Sequence, residues 1–143
     1  MDARNMDNIN GQCRCGAVEY RATGGIKGLV NCHCELCRSI NGSAFSSYVV
    51  VALEGLSVGK GRERVSRYQV TDGAVKHYCS TCGTPLFNTN PVRYPGLAML
   101  YLGAVRNHPV LAAPINIYSE SKLSWVDAIA EAQNFPGPPQ RGT

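Results

Sequence analysis

Seven cysteines stand in three short groups, and their spacing suits metal chemistry. The groups are Cys13-Arg14-Cys15, Cys32-His33-Cys34-Glu35-Leu36-Cys37 and Cys79-Ser80-Thr81-Cys82. Zinc takes four ligands in a tetrahedron, with thiolate sulfur at roughly 2.3 Å. A C-x-x-C turn sets two sulfurs on one side of an ion, and Gly83, just after the turn, tolerates the positive φ with which the chain doubles back. A C-x-C pair at a strand end can present two more. Two pairs complete one shell, so Cys13, Cys15, Cys79 and Cys82 are expected to hold a structural zinc. That site would staple the N-terminal segment to the second half of the chain. Cys32, Cys34 and Cys37 remain, with three ligands and one open position. Structural zinc sites are closed, whereas catalytic ones keep a position for water or substrate. The expectation is about two zinc ions per chain, one closed and one open.

Two other readings of the same residues stay open. C-x-x-C also occurs in disulfide exchange, but normally in a thioredoxin-like βαβ setting, which is not visible here. A histidine could close the three-cysteine site and make it purely structural. His33 lies between two ligands, where its side chain should point away. His77 precedes Cys79 by two and belongs nearer the other ion, and His108, before Pro109, reads as a surface turn.

An open three-thiolate zinc suits thiol chemistry. It can deprotonate an incoming thiol whose free pKa is about 8.5, and the thiolate can then add to an aldehyde carbon. Three protein thiolates make the ion a poor Lewis acid, so thiol delivery is expected rather than water activation. Gly42 to Phe45 follows the cluster and could line its pocket, with hydroxyls at Ser43 and Ser46. Arg38 could meet a substrate carboxylate through a bidentate contact, or it could brace the zinc loop. Lys76 and Arg106 read as ordinary surface charges, and Trp125 as a core anchor for the C-terminal segment.

These residues need a scaffold, and the composition allows one compact domain. The chain has 143 residues, 44% apolar and 17% charged. The expected division is a flexible 1–10, a zinc-binding domain over 11–134 and a Pro/Gly-rich tail over 135–143. Formal net charge is +4, but thiolates and bound zinc would bring it to about +1. Basic residues are scattered. The densest stretch, Gly59 to Arg64, is broken by glycines and Glu63, and reads as a solvated turn rather than a nucleic-acid patch. Met1 to Asn10 lacks the apolar core of a signal peptide, and Gly96 to Val105 is about half of what spans a bilayer. A cytoplasmic protein without membrane association is expected, where thiols stay reduced.

The pattern is mainly β. Val18 and Tyr20 alternate with polar neighbours, and Ala44 to Leu53 is rich in β-branched and aromatic residues. Val65–Val70, Val75–Tyr78, Leu97–Val105 and Ile115–Tyr118 complete the expected strands, with a turn at Asp72-Gly73. Two short helices are expected, at Glu35–Ile40 and at Trp125–Gln133, the latter with Ser124 as N-cap.

The chain resembles the glutathione-dependent formaldehyde-activating enzyme family, which includes centromere protein V. The resemblance is carried by GQCRCGAVEY (Gly11 to Tyr20), NCHCELCRSINGSAF (Asn31 to Phe45) and HYCSTCGTPLF (His77 to Phe87), and more weakly by INIYSESKLSW (Ile115 to Trp125). It implies zinc-stapled antiparallel sheets of the β-tent type. It implies the same division of ligands into a structural four-cysteine zinc and a second, open three-cysteine zinc. It also implies carbon–sulfur lyase chemistry on a thiol such as glutathione and a small aldehyde. Asn116 and Ser124 stand where the family often has histidine and proline. The competing class is a non-catalytic, zinc-stabilised scaffold, possible in this family as a chromatin-associated protein.

Overall fold

A computed structural model describes residues 8–107 and 113–139. His108 therefore lies outside the described residues. Two sheets build the fold. The smaller has the order β1-β2-β5, from β1 (Asn8–Gln12), β2 (Glu19–Thr23) and β5 (Leu56–Lys60). The larger has seven strands in the order β10-β3-β4-β9-β8-β7-β6. These are β3 (Gly28–Cys32), β4 (Ser46–Ala52), β6 (Val65–Gln69), β7 (Val75–Cys79), β8 (Pro85–Thr89), β9 (Leu97–Tyr101) and β10 (Ile115–Ile117). Neighbours are antiparallel except β10, which runs parallel to β3. One α-helix, α1 (Glu35–Asn41), joins β3 to β4.

Period-two patterning decides which side chains face which way. In β4, Val49 and Val51 pair with Leu100 and Ala98 of β9, and all four are buried. With Leu29 and Phe87 they share one core with Ile9, Tyr20 and Ala22 of the small sheet. Each large aliphatic side chain there contributes about 1.5–3 kcal/mol by leaving water. Tyr20 lies across its strand partner Gly11; a Cβ on Gly11 would fall 1.9 Å from the Tyr20 ring, so only glycine fits that position. The opposite face of the large sheet carries other residues of the same strands. Cys32 pairs with Ser46, Tyr48 with Tyr101, and Asn88 with both Met99 and Lys76. Directly paired residues share a face, so this second face is the polar, sulfur-bearing one. Its small cluster of buried residues is Cys32, Tyr48 and Tyr101.

Four strands lie where the pattern shows little. β1 (NINGQ) has a single apolar side chain, β3 and β5 are short, and β8 opens on Pro85, which a strand accepts at its first residue. The expected strand Leu97–Val105 ends at Tyr101 and continues as a 3₁₀ turn over Leu102–Ala104. The expected C-terminal helix is a 3₁₀ helix over Val126–Glu131, with Trp125 rather than Ser124 at its N-cap and no side-chain capping bond. Trp125 is 54% exposed, so it is not a core anchor. The segment has no buried residue, so nothing holds it to α-helical geometry. Among the described residues no helix is long and apolar enough to cross a membrane.

Candidate metal centres

Both cysteine clusters gather at one end of the large sheet. Cys32 ends β3 and Cys79 ends β7, while β4 and β8 start beside them. All seven cysteines are free thiols.

The first cluster joins two turns. After β1, Cys13 N–H bonds to the Val18 carbonyl at 3.0 Å and Gly16 N–H to the Cys13 carbonyl at 3.1 Å, which folds the C-x-C pair back on itself. After β7, Gly83 N–H returns to the Cys79 carbonyl at 2.8 Å, with Gly83 at φ +79°. That is the left-handed geometry the sequence assigns to this glycine. Thr84 ties the turns together: its Oγ1 accepts Arg14 N–H at 3.0 Å and lies 3.0 Å from Cys82 Sγ. The exposed turn Arg62–Arg64 braces the second knuckle, since Ser80 N–H donates to the Arg64 carbonyl at 2.8 Å and Arg64 Nη1 to Thr81 Oγ1 at 3.1 Å.

The four sulfurs, from Cys13, Cys15, Cys79 and Cys82, lie within 4.8 Å of one another. Cys13–Cys15 and Cys15–Cys79 are separated by 3.6 and 3.8 Å. A tetrahedron with bonds of 2.3 Å has edges of about 3.8 Å, so the donor set fits a zinc ion. Proton affinities divide sharply within it. Bonds from the Thr84 hydroxyl and backbone pull Cys82 down to about 5. The Ala17 amide favours the Cys15 thiolate, yet burial and the neighbouring sulfurs outweigh it and push Cys15 up to about 11. Four thiols this close oppose one another's ionisation unless a cation offsets the charge.

The second cluster is built on α1. Cys34 is its N-cap, with Sγ accepting Cys37 N–H at 3.2 Å. Cys37 sits one turn in, and Cys32 ends the neighbouring strand. The three sulfurs lie within 4.8 Å of one another, with Cys32 and Cys34 3.5 Å apart. The contact with Cys37 pulls the Cys32 thiol down, the same contact pushes Cys37 up, and burial raises Cys34. Three sulfurs can hold an ion and leave one tetrahedral position for another ligand.

His33 and His77 do not join this set. His33 is buried and turns away: its Nε2 is 3.1 Å from Asn116 Oδ1 and its ring stacks obliquely on Phe45. Asn116 thus keeps a polar partner for His33, and also takes the Asn31 amide at 3.2 Å. His77 stacks on Phe87, with Nε2 3.2 Å from Thr89 Oγ1; burial and the nearby Arg67 hold it down at about 4.

Arg38 Nη1 donates to the His33 carbonyl at 2.8 Å and also to the Ser121 carbonyl. It fastens α1 to the end of β3 and to the 3₁₀ turn Ser119–Ser121. Lys76 is more than a surface charge, since its Nζ donates to the Ile40 carbonyl at 2.7 Å, at the C-terminal end of α1. Arg106 likewise holds the Gln12 carbonyl at 3.0 Å, just before Cys13. Ser43 Oγ donates to the Phe45 carbonyl at 2.9 Å. Ser46 Oγ accepts Asn41 Nδ2 at 2.7 Å.

Tyr48, Asn88 and Tyr101 carry functional geometry that the motifs did not single out. The Tyr48 hydroxyl lies 3.4 Å from Cys37 Sγ and accepts Asn88 Nδ2 at 3.1 Å. Burial pushes both tyrosine hydroxyls above their ordinary range, Tyr48 the further, so they stay protonated. The available signal was faint: a tyrosine inside a valine run, and an asparagine inside an apolar strand. An open cleft of about 480 Å³ adjoins this network. Asn41, Ser46 and Tyr101 line it on the three-cysteine side, and Thr84 and Pro85 on the four-cysteine side.

Comparison with known proteins adds to this geometry. Over 82 residues the chain is 30% identical to a Schizosaccharomyces pombe protein named "Uncharacterized lyase". That match covers 57% of this chain and spans 58% of that relative's length. A crystal structure of a Rhodobacter sphaeroides protein is similar in fold, with a TM-score of 0.58 at 24% identity, covering 74% of this chain and 98% of that one. The family model for "Glutathione-dependent formaldehyde-activating enzyme" matches residues 8–121, a span that holds all seven cysteines. The chain therefore belongs to the glutathione-dependent formaldehyde-activating enzyme family.

Proposed function

We propose that the protein is a zinc-dependent carbon–sulfur lyase of the cytoplasm. It acts on a small thiol of the glutathione kind and a small aldehyde, or on their S-hydroxyalkyl adduct. Family membership and the lyase name of the relative support the reaction class. The observation that carries the proposal is the ligand count: three sulfurs at Cys32, Cys34 and Cys37 leave one tetrahedral position open, whereas the four of Cys13, Cys15, Cys79 and Cys82 fill theirs.

A zinc ion held by Cys32, Cys34 and Cys37 would supply a seat for a thiol as its thiolate, and a charge against which a carbonyl can be polarised. The protein's own residues do the rest. In the joining direction the thiolate sulfur forms a bond to the aldehyde carbon, and the carbonyl π pair moves to oxygen, which takes up a proton. In reverse the hydroxyl loses its proton and the carbon–sulfur bond breaks. The cleft presents Asn41, Ser43 and Ser46 to the polar part of the substrate. Arg38 is the cation nearest in sequence to the cluster, and its guanidinium is the candidate contact for a substrate carboxylate. Cys13, Cys15, Cys79 and Cys82 would hold the second zinc, whose part is to keep the fold.

The test is metal analysis followed by a thiol panel. About two zinc per chain are expected, the one on Cys32, Cys34 and Cys37 leaving first to a chelator. Glutathione, cysteine and cysteamine are then titrated with and without formaldehyde. Saturable thiol binding and thiol-dependent aldehyde consumption are expected. Two zinc with no thiol response would instead mark a zinc-stabilised scaffold.

A further inference from the structure

Tyr48 reaches the three-cysteine cluster without being able to join it. Its hydroxyl lies 3.4 Å from Cys37 Sγ. What stands behind the hydroxyl fixes the direction of that contact. Asn88 Nδ2 donates to the Tyr48 oxygen at 3.1 Å, and an amide nitrogen has only protons to give. The tyrosine's own proton is therefore left for the sulfur. The arrangement continues away from the cluster. Asn88 Oδ1 takes the Tyr101 hydroxyl at 2.8 Å, Asn41 Oδ1 lies 3.1 Å from that same hydroxyl, and Asn41 Nδ2 donates to Ser46 Oγ at 2.7 Å. Tyr48 is buried, with its ring 5.0 Å from that of Tyr101, so packing holds the hydroxyl in place. Bonds in such a buried chain polarise one another.

We propose that Tyr48 is a positioning residue for the metal at the three-cysteine cluster: its O–H donates to the Cys37 thiolate, and Asn88 locks that donation in place. The proposal rests on the reading that Cys32, Cys34 and Cys37 hold zinc. Its physical sense follows from the donor set. Three thiolates press much negative charge onto one ion, and a fourth from substrate adds more. A hydrogen bond to one sulfur withdraws part of that charge and fixes the sulfur's orientation, as partners of metal ligands commonly do. The effect falls on Cys37 alone. Cys34 receives a backbone N–H, from Cys37 at 3.2 Å.

Cobalt(II) in place of zinc tests this on the full chain. Cobalt is added stepwise, and the difference between one and two equivalents isolates the thiolate-to-metal absorption of the second site. In Tyr48→Phe the Cys37 sulfur loses its proton donor, so that absorption should move to longer wavelength. Cobalt affinity at the second site should fall by about tenfold. Asn88→Asp keeps the tyrosine but puts a carboxylate behind it, which at pH 8 has no proton to give and accepts the Tyr48 O–H hydrogen bond in place of the sulfur. It should shift the band in the same direction and decides the matter if Tyr48→Phe does not fold. Tyr101→Phe, one bond further back, should leave the band in place. Two cobalt ions in the parent, with unchanged bands in Tyr48→Phe and Asn88→Asp, would overturn the role of Tyr48 alone. A parent that takes up only one cobalt would overturn the metal reading of the cluster, and this proposal with it.

Discussion

The two cysteine clusters use the same atoms to different ends. The four-cysteine cluster is assembled from turns far apart in the chain and sits where two knuckles meet, with Cys13 and Cys79 fully buried. The three-cysteine cluster comes from six consecutive residues at the join of β3 and α1. The first therefore holds distant segments to each other. The second holds little that its own backbone does not already hold. On the function proposed above, ligand count and ligand separation together divide a fastening site from a working one.

Cysteine replacement gives the largest expected effects. Cys79→Ser should abolish cooperative folding, because a structural zinc supplies roughly 10 kcal/mol of folding free energy. Cys34→Ser should keep the fold by circular dichroism and lose one zinc and thiol binding. Equal damage from both would erase the distinction between the clusters.

Arg38→Met comes next. It removes two charge-assisted bonds that hold α1 to the His33 and Ser121 carbonyls. A loss of about 2–3 kcal/mol in urea unfolding is expected, with binding of thiols that carry a carboxylate weakened more than that of cysteamine, which has none. A loss equal for every thiol would leave Arg38 as a brace alone.

Thr84→Val should show the smallest change. Among the described residues the hydroxyl serves Arg14 N–H and Cys82 Sγ, at the four-cysteine cluster. About 1 kcal/mol of stability should go, with faster zinc release from that cluster and unchanged thiol binding. Weakened thiol binding would mean that the shared cleft couples the two ends.

The cysteine groups were legible in the sequence because their geometry is local. C-x-C and C-x-x-C dictate their own turns, Gly83 reports the required φ, and α1 starts where Cys34 can cap it. Strands with β-branched and aromatic residues, such as β4 and β7, were legible for the same reason. The Tyr48–Asn88–Tyr101 network was not. It depends on the register of β4 against β9 and of β9 against β8, and register comes from the whole sheet. Lys76 and Arg106 read as plain cations because their partners are backbone carbonyls, which every residue has. Trp125 misled because size suggests burial, whereas the segment around it has nothing to lie under.

The separation of Cys15 from Cys79, 64 positions along the chain, also has a consequence in time. At roughly 5–20 residues per second, a ribosome needs about 3–13 s to make that stretch. From Cys37 onward the nascent protein carries Cys13, Cys15, Cys32, Cys34 and Cys37 with the second knuckle not yet made. The three-cysteine cluster is complete early and can take the first metal ion that arrives. The four-cysteine cluster is complete only after Cys82 emerges, so metal supply during synthesis, rather than affinity alone, would set which cluster takes an ion first.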